Sequence, residues 1–259
     1  MLSPRIIPVL LVHNKGLVKT IKFENPIYVG DPLNAVKIFN EKEVDELIIL
    51  DIDATLNNKS PDLLSIKNWA SECRMPLCYG GGITSVEEIQ KIISLGVEKV
   101  SINSSALANP DIINKAAALV GSQSIVVSID CKKRKFTNDY DIYVQNGKKI
   151  YKIDLISWIL EIEKRGAGEI ILNSIDNDGL MKGYDLDLIT LVKKKVSIPV
   201  TALGGCRSKE DIVRLIKEFG IIGVGAGSMF VFKGKFKAVL INYPSKMEKI
   251  KLFNEKKKM

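Results

Sequence analysis

Eight short apolar runs alternate with amphipathic segments along nearly the whole of this 259-residue chain. The runs lie at residues 6–12, 47–50, 77–79, 100–102, 125–129, 170–172, 200–203 and 221–224. Between them, apolar residues recur at helical i, i+3 and i+4 spacing, as in Ile212, Leu215 and Ile216. Strands that alternate with helices form parallel sheets, and eight such units close into a barrel. The pattern predicts an α/β fold, a (β/α)8 TIM barrel.

The two halves of the chain repeat each other. Glu46 and Glu169 are 123 positions apart (169 − 46), and so are Gly81 and Gly204 (204 − 81). A serine that can cap a helix, with an acidic residue three positions later, follows each glycine pair: Ser85 with Glu88, and Ser208 with Asp211. We therefore expect a duplicated half-barrel. It should form one domain over residues 1–259, with the barrel at about 4–245 and a basic tail at 246–259.

Cysteine and histidine usage argues against metal chemistry. The four cysteines show no close CxxC pairing and are too sparse for a disulfide scaffold, so buried, reduced thiols are expected. His13 is the one histidine of the sequence, and we interpret it as ordinary loop surface beside a strand end. We predict no metal and no cofactor, which leaves proton transfer to carboxylates.

The net charge of +8 is spread along the chain, and no nucleic-acid-binding module interrupts the repeating pattern. The densest basic run, residues 246–258, is interpreted as a solvated, partly frayed tail; attraction of phosphorylated substrates by its field is the alternative. No apolar run is long enough to span a bilayer, and the first residues do not resemble a signal peptide. We expect a cytoplasmic protein without nucleic-acid or membrane partners.

Glycine-rich loops follow three of the predicted strands, and a loop with Asn103 and Ser104 follows a fourth. Glycines allow the backbone to approach an anion closely, and the amides of the next helix supply donors. Loops after the seventh and eighth strands of such barrels frequently bind phosphate. The alternative is that these glycines only permit tight turns. Two sets at one offset favour a ligand with a phosphate at each end, bound by Gly81, Gly82, Asn103 and Ser104 on one side and by Gly204, Gly205, Gly227 and Ser228 on the other.

Several motifs occur in the order and register of a known family. They lie at residues 5–7, 23–25, 30–32, 45–47, 80–83, 99–103, 163–169, 174–176 and 178–179. Up to about Phe232, the chain resembles the cyclase subunit of imidazole glycerol phosphate synthase. The resemblance implies a barrel that takes ammonia from a separate glutaminase subunit in a heterodimer. That cyclase uses the ammonia on a bisphosphorylated ribulosyl-formimino substrate, giving imidazole glycerol phosphate and an aminoimidazole ribotide.

The resemblance also implies a charged ring at the amino-terminal face of the barrel, through which ammonia enters. Its members would be Arg5, Glu46, Lys99 and Glu169. Two cations and two anions at the starts of apolar strands would be costly unless paired, and pairing gives a neutral plug that can open. The alternative is that the ring only closes the barrel floor.

The family's two catalytic carboxylates lie at the ends of the first and fifth strands. Asp130 occupies the second position, whereas Leu11 occupies the first. Because leucine cannot exchange a proton, and losing one acid or base costs about 10²- to 10⁴-fold in rate, the family's cyclisation is in question. Nearby acids that could substitute are Asp51, Asp53, Asp176 and Asp178, of which we assign Asp176 to substrate binding. Lys19 matches the family's mobile loop and could contact a phosphate.

Three functions remain open. Our leading hypothesis is a paralogue that passes ammonia to a sugar amidotransferase making acetamidino groups in bacterial surface glycans, because residues 228–244 resemble that branch. The second is a working histidine-pathway cyclase in which another carboxylate replaces the missing one. The third is a non-catalytic scaffold that activates a glutaminase. A related isomerase of the same pathway shares the repeat and the phosphate loops but does not explain the charged ring.

Overall fold

The computed structural model describes residues 3–254 and has eight parallel strands closed into a barrel. The barrel strands are β1 (Arg5–His13), β4 (Leu47–Asp51), β5 (Leu77–Gly80), β6 (Lys99–Ile102), β7 (Ile125–Lys133), β10 (Glu169–Ser174), β11 (Val200–Leu203) and β12 (Gly223–Ala226). Closure comes from β1, which pairs in parallel with both β4 and β12. The predicted (β/α)8 TIM-barrel fold is confirmed.

Helices follow the barrel strands and form the outer layer. They are α1 (Pro32–Glu41), α2 (Leu63–Glu72), α3 (Val86–Ser94), α4 (Ser104–Ala108), α5 (Asp111–Val120), α6 (Leu155–Lys164), α7 (Leu186–Lys193), α8 (Lys209–Phe219), α9 (Ser228–Val231) and α10 (Lys246–Asn254), with a 3-10 turn at Ser122–Ser124. None of these helices has both the length and the apolar character needed to cross a membrane.

Three antiparallel hairpins are added to the barrel. Strands β2 (Gly16–Ile21) and β3 (Glu24–Gly30) extend from β1, and β8 (Tyr140–Val144) and β9 (Lys149–Tyr151) extend from β7. Strands β13 (Phe232–Lys233) and β14 (Ala238–Val239) form a separate pair after α9. Since all three hairpins follow the carboxyl ends of barrel strands, they surround one mouth of the barrel.

The prediction for the eighth barrel strand was displaced by two residues, because β12 begins at Gly223 and not at Ile221. Ile221 is 48% exposed, and the ladder with β1 starts where Arg5 pairs with Gly223. A Cβ on Gly223 would lie 1.8 Å from the Thr201 hydroxyl oxygen. Close packing of β12 on β11 therefore requires glycine at a position that the apolar pattern cannot identify.

The predicted repeat of helix caps is only half correct. Ser85 forms a full capping box with Glu88 at the start of α3. Ser208 precedes α8, but its side chain accepts no bond from the helix. Asp211 accepts a hydrogen bond from the backbone N–H of Arg207 at 2.9 Å, as Glu88 does from the equivalent Thr84 N–H at 2.7 Å. The two halves therefore share the bond to the acidic residue but not the bond to the serine side chain.

The interior of the barrel above its floor is mostly apolar, apart from the hydroxyl groups of Ser101 and Ser128, which hydrogen-bond to each other. Ile7 and Val9 of β1 pack there with Ile48, Val126 and Ile171 from other strands, all nearly inaccessible to solvent. Their alternate neighbours point outward and pack against the helices, as expected for strands whose successive side chains face opposite sides. This interior layer separates the floor of the barrel from its mouth.

The prediction of a frayed tail from residue 246 was wrong for the part of the tail that the structure describes. Residues 246–254 form α10, which packs on α8 with Leu252 buried; residues 255–259 lie outside the described part. Lys249 pairs with Asp45 at 2.6 Å, and Glu248 pairs with Lys209. Ionic partners on the barrel and on α8 therefore hold a segment whose composition alone suggests solvent exposure.

Tyr243 fixes the segment before α10 to the barrel. Its hydroxyl donates to the Ile6 carbonyl at 2.8 Å and accepts from the Asp45 N–H at 3.2 Å. We expect Tyr243→Phe to lower the free energy of unfolding by about 1–2 kcal/mol, because two backbone groups lose a partner. Urea unfolding measures this, with Tyr28→Phe as the control. Tyr28 is 68% exposed, so its change should stay within about 0.5 kcal/mol, and equal losses would contradict the assignment.

Candidate active site

Two adjoining cavities open at the carboxyl ends of the barrel strands, and Asp130 lies between them. They also share Leu50, Asn173 and Leu203. The smaller cavity borders the loops after β11 and β12, and the larger one borders the loops after β5 and β6. An elongated ligand across the mouth would therefore pass Asp130 near its middle.

Asp130, the predicted catalytic residue, is held by two amides near the end of β7. Asn103 donates to one carboxylate oxygen at 2.8 Å, and Asn173 donates to the other at 3.1 Å. Burial raises the pKa of Asp130 to about 7, Asp178 adds to the shift, and the two amide bonds oppose it. A carboxyl group tuned in this way can accept or donate a proton near neutral pH.

Sequence reasoning missed one of these amides. Asn103 had been assigned to phosphate binding, whereas Asn173 had no assigned role. The only signal for Asn173 was a polar residue at the end of an apolar strand. Both amides leave a buried carbonyl oxygen without a hydrogen-bond partner among the described residues. The two amides therefore bind Asp130 at a cost in stability, because the carbonyl oxygen of each amide is buried without a hydrogen bond in the described part of the chain.

Leu11 lines the smaller cavity together with Asp130, so the two positions meet at the mouth. The leucine side chain has no exchangeable proton. The other carboxylate in that cavity is Asp178, which accepts from the Thr20 hydroxyl at 3.2 Å and from the Phe23 N–H at 3.4 Å. Burial raises the pKa of Asp178 against these two bonds. Asp130 and Asp178 are thus the two carboxylates that line the same cavity as Leu11.

The structure does not place Asp176, predicted to bind substrate, in either cavity. Its carboxylate accepts from the Lys133 N–H at 2.9 Å and thereby fixes the end of β7. Asp51 lines the larger cavity but accepts from the N–H groups of Asp53 and Ala54 within its own loop. Of the acids considered as substitutes, Asp178 is therefore the best placed.

His13 is not ordinary loop surface. It ends β1, and its Nδ1 lies 2.6 Å from a carboxylate oxygen of Asp53. Asp53 also accepts from the Asn14 N–H, so the pair fixes the turn into β2. Within residues 3–254, no group of three or more His, Cys, Asp and Glu side chains is placed to hold a metal ion.

Lys19 lies in strand β2, not in an irregular loop, and is buried. Its ammonium group donates to the Val9 carbonyl at 2.6 Å. Burial lowers the pKa of Lys19 to about 8, although the nearby carboxylate of Asp178 opposes the shift. The β2–β3 hairpin therefore brings a desolvated cation into the smaller cavity, where it lies beside Gly227.

The glycine-rich loops reach the mouth in two sets. Gly81, Gly82, Asn103 and Ser104 line the larger cavity, and Gly204, Gly205, Gly227 and Ser228 line the smaller one. The helices that begin there, α4 and α9, have no side-chain cap, which leaves their first amides without such a partner. The arrangement supplies backbone donors on both sides of Asp130.

Turn geometry alone requires glycine at four of these positions. Gly81 has φ of 119°, Gly82 70°, Gly204 95° and Gly205 100°, a region that other residues avoid, and each of these glycines also packs closely on backbone atoms. An added Cβ on Gly81 or Gly204 would lie 2.3 Å from the Asp51 carbonyl oxygen and 2.6 Å from that of Ser174, respectively. Gly227 differs, because its φ is −107° and a Cβ would meet the Lys19 ammonium nitrogen at 2.6 Å. At Gly227, the missing Cβ leaves open the space beside the Lys19 ammonium group.

At the opposite end of the barrel, the four predicted charged residues form one closed ring. Arg5 contacts Glu46 and Glu169, the latter at 2.7 Å, and Lys99 contacts the same two carboxylates at 2.9 and 2.8 Å. Burial alone would raise the pKa of Glu169, but Arg5 and Lys99 outweigh it and hold that pKa below its usual value. Thr201, a residue that sequence reasoning missed, also donates to Glu169 at 2.5 Å.

These features define the class of protein: a parallel (β/α)8 barrel with a titratable carboxyl group at its mouth and a neutral ionic ring across its floor. A family model described as "Histidine biosynthesis protein" matches residues 5–237. The chain belongs to the family of imidazole glycerol phosphate synthase subunit HisF, as its similarity to several members also shows.

Three relatives give the extent of that similarity. The "Putative imidazole glycerol phosphate synthase subunit hisF3" of Vibrio vulnificus is 56% identical over 97% of this chain and 96% of its own length. The "Putative imidazole glycerol phosphate synthase subunit HisF" of Leptospira interrogans is 53% identical over 98% of this chain and 100% of its own length. The "Imidazole glycerol phosphate synthase subunit HisF" of Clostridium botulinum is 39% identical over 90% of this chain and 92% of its own length.

The raised pKa of Asp130 links its protonation to stability. Because that pKa rises from 3.8 to about 7, the folded chain keeps a proton that the unfolded chain loses, so stability falls as the pH rises through this window. Asparagine cannot titrate. We expect the unfolding free energy of Asp130→Asn relative to wild type to increase by about 2–4 kcal/mol between pH 4 and pH 8.

Urea unfolding at the two pH values measures this difference. Asp187→Asn serves as the matched control, since the Asp187 side chain is 82% exposed. A difference between Asp130→Asn and wild type that stays constant with pH would contradict the assigned shift.

Proposed function

We propose that this protein is the synthase subunit of a glutamine-dependent amidotransferase of the imidazole glycerol phosphate synthase type. A glutaminase subunit docks at the floor, ammonia passes through the ring of Arg5, Glu46, Lys99 and Glu169, and it leaves at the mouth beside Asp130. The observation that carries the proposal is the arrangement of one barrel: a closed ionic floor, a mostly apolar interior and a titratable carboxyl group at the opposite end.

The chemistry of the passage favours neutral ammonia over ammonium. An interior lined mainly by apolar side chains such as Ile7, Ile48 and Ile171 gives a charged species little compensation for lost hydration. The ring is neutral overall, so it can close the floor without leaving an unpaired buried charge. Opening one ionic contact would admit a small neutral molecule.

The mouth is suited to an anionic ligand with two charged ends. Gly227 leaves space beside the Lys19 ammonium group in one cavity, and Lys59 lines the other cavity with Gly81 and Gly82. A phosphate at each end would then hold the reacting part of the molecule near Asp130. This supports a bisphosphorylated substrate, in the cytoplasm where such metabolites occur.

Leu11 decides between two versions of this function. With no acid or base at that position, we propose that the chain delivers ammonia onward to a sugar amidotransferase that makes acetamidino sugars. The second candidate is a working cyclase, and the specific observation in its favour is Asp178, a carboxylate with a raised pKa in the cavity that Leu11 lines.

Leu11→Asp tests this choice. We expect the variant to form imidazole glycerol phosphate from ammonium and the bisphosphorylated substrate at least about 10²-fold faster than wild type, because it restores a proton-transfer group. Leu11→Asn is the matched control, since it has nearly the same shape but cannot transfer a proton, and it should gain nothing. Rapid turnover by wild type, lost in Asp178→Asn, would instead establish the working cyclase.

Lys99→Ala tests the ring in the complex with the glutaminase, using whichever of wild type and Leu11→Asp forms product. We expect the ratio of glutamine-driven to ammonium-driven product to fall at least about fivefold, because external ammonium need not cross the floor. Lys42→Ala, an exposed change near the same face, should leave the ratio unchanged. Equal losses from both nitrogen sources would mean that the ring serves stability alone.

A further inference from the structure

A second, separate groove lies beside the mouth. The loop after β11, helix α9 and the β13–β14 hairpin form its walls. Its cationic side chains are Arg207, Lys209, Lys233, Lys235 and Lys237, and its apolar side chains include Met181, Met229, Phe232 and Tyr243. No carboxylate residue lines it among residues 3–254. A concave site with both apolar walls and concentrated charge has the character of a small-molecule site.

Most of this positive charge is not neutralised by ion pairs. Lys209 pairs with Glu248, and Arg207 lies 3.8 Å from Asp211. In the described part of the chain, no carboxylate lies within ion-pair distance of Lys233, Lys235 or Lys237. Three like charges on one short hairpin repel one another, so an anion bound between them would be stabilised.

The hairpin that carries these lysines has a fixed backbone. Gly234 has φ of 74°, and the Lys237 N–H donates to the Gly234 carbonyl at 3.1 Å, which closes the turn. The Leu240 N–H donates to the Val231 carbonyl at 2.8 Å, and the Asn242 N–H donates to that of Phe230 at 2.9 Å. The segment after α9 is therefore anchored to that helix, and the lysines lie on a defined support.

The groove adjoins the mouth without merging with it. Met181 lines both the groove and the smaller cavity. Arg207 and Met229 in the groove directly follow Cys206 and Ser228, which line the cavity. A molecule bound in the groove would therefore have one end next to the opening of the barrel.

We propose that this groove binds the diphosphate of a second ligand, a nucleoside diphosphate ester. The lysines of the hairpin and Arg207 would hold the diphosphate through charge-assisted hydrogen bonds, and Met229 and Phe232 would contact the apolar faces of the nucleoside. This inference rests on the proposed function in one respect: it places an ammonia acceptor of the nucleotide-sugar class at the exit of the barrel. Binding itself can be tested without any turnover.

Calorimetry with uridine diphosphate and with inorganic pyrophosphate tests the proposal. We expect both probes to bind wild type, and Lys233→Glu/Lys235→Glu to weaken the binding of each at least about tenfold, because two favourable contacts become repulsive. Lys67→Glu/Lys115→Glu is the matched control, since it changes the net charge equally at exposed positions on α2 and α5. Its affinity for both probes should stay within about twofold of wild type.

Gly227→Ala separates the groove from the glycine loops of the mouth. Its Cβ would occupy the space beside Lys19, so it should weaken binding of fructose 1,6-bisphosphate, a probe of the mouth, and leave uridine diphosphate binding unchanged. Loss of uridine diphosphate binding in Gly227→Ala but not in the lysine variant would contradict the proposal that the groove binds this ligand. The proposal would also be wrong if neither uridine diphosphate nor pyrophosphate bound, including the case in which the lysines bind phosphatidylglycerol vesicles instead. Failure of Leu11→Asp to gain activity would leave these binding results unaffected.

Discussion

The parallel ladder that joins β1 to both β4 and β12 is the interaction on which the rest of the structure depends. Closing the barrel aligns eight strands in one direction, so every loop at a carboxyl end reaches the same mouth and every strand start reaches the same floor. Asp130 and Asn103 thus meet from neighbouring strands, and Arg5 meets Glu169 across 164 positions of sequence. Closure also demands glycine where β12 packs on Thr201.

The two ends of the barrel handle buried carboxylates in opposite ways. At the floor, two cations pair with two glutamates and offset part of the cost of burying their charge, and Thr201 satisfies a further lone pair of Glu169. At the mouth, amides hold Asp130 and no cation does, so its pKa rises to about 7. Cationic partners suit a structural plug, whereas amide partners alone suit a group that must exchange protons.

Much of this arrangement could be predicted from the sequence, because the strand and helix periodicity and the 123-residue repeat can be read from the order of residue types alone. The strands, the ring residues and the glycine loops follow from that pattern and the family resemblance. The choice between Asp176 and Asp178 could not be predicted, since the two acids lie in one loop. Partners distant in sequence orient the two side chains: the Lys133 N–H donates to Asp176, and the Thr20 hydroxyl donates to Asp178.

Helix α10 and the cap of α8 escaped prediction for the same reason. The ion pair between Lys249 and Asp45 joins residues 204 positions apart, and composition reports only that the segment is basic. Likewise, the spacing of Ser208 and Asp211 matches that of Ser85 and Glu88, and both acids accept from the N–H of the residue before the serine. The Ser85 hydroxyl also accepts from the helix, whereas the Ser208 hydroxyl does not, so the same sequence signal gives only part of the same hydrogen bonds.

The duplicated scaffold nevertheless has two chemically different poles at its mouth. The glycine loops repeat at an offset of 123, but Lys19 has Ile142 at the equivalent position (19 + 123), a buried residue of the β8–β9 hairpin. Lys59 has Lys182 as its equivalent (59 + 123), and Lys182 does not line the smaller cavity. Neither cation therefore has a counterpart beside the glycine loop of the other half. A pseudo-symmetric barrel thereby distinguishes one end of an elongated ligand from the other.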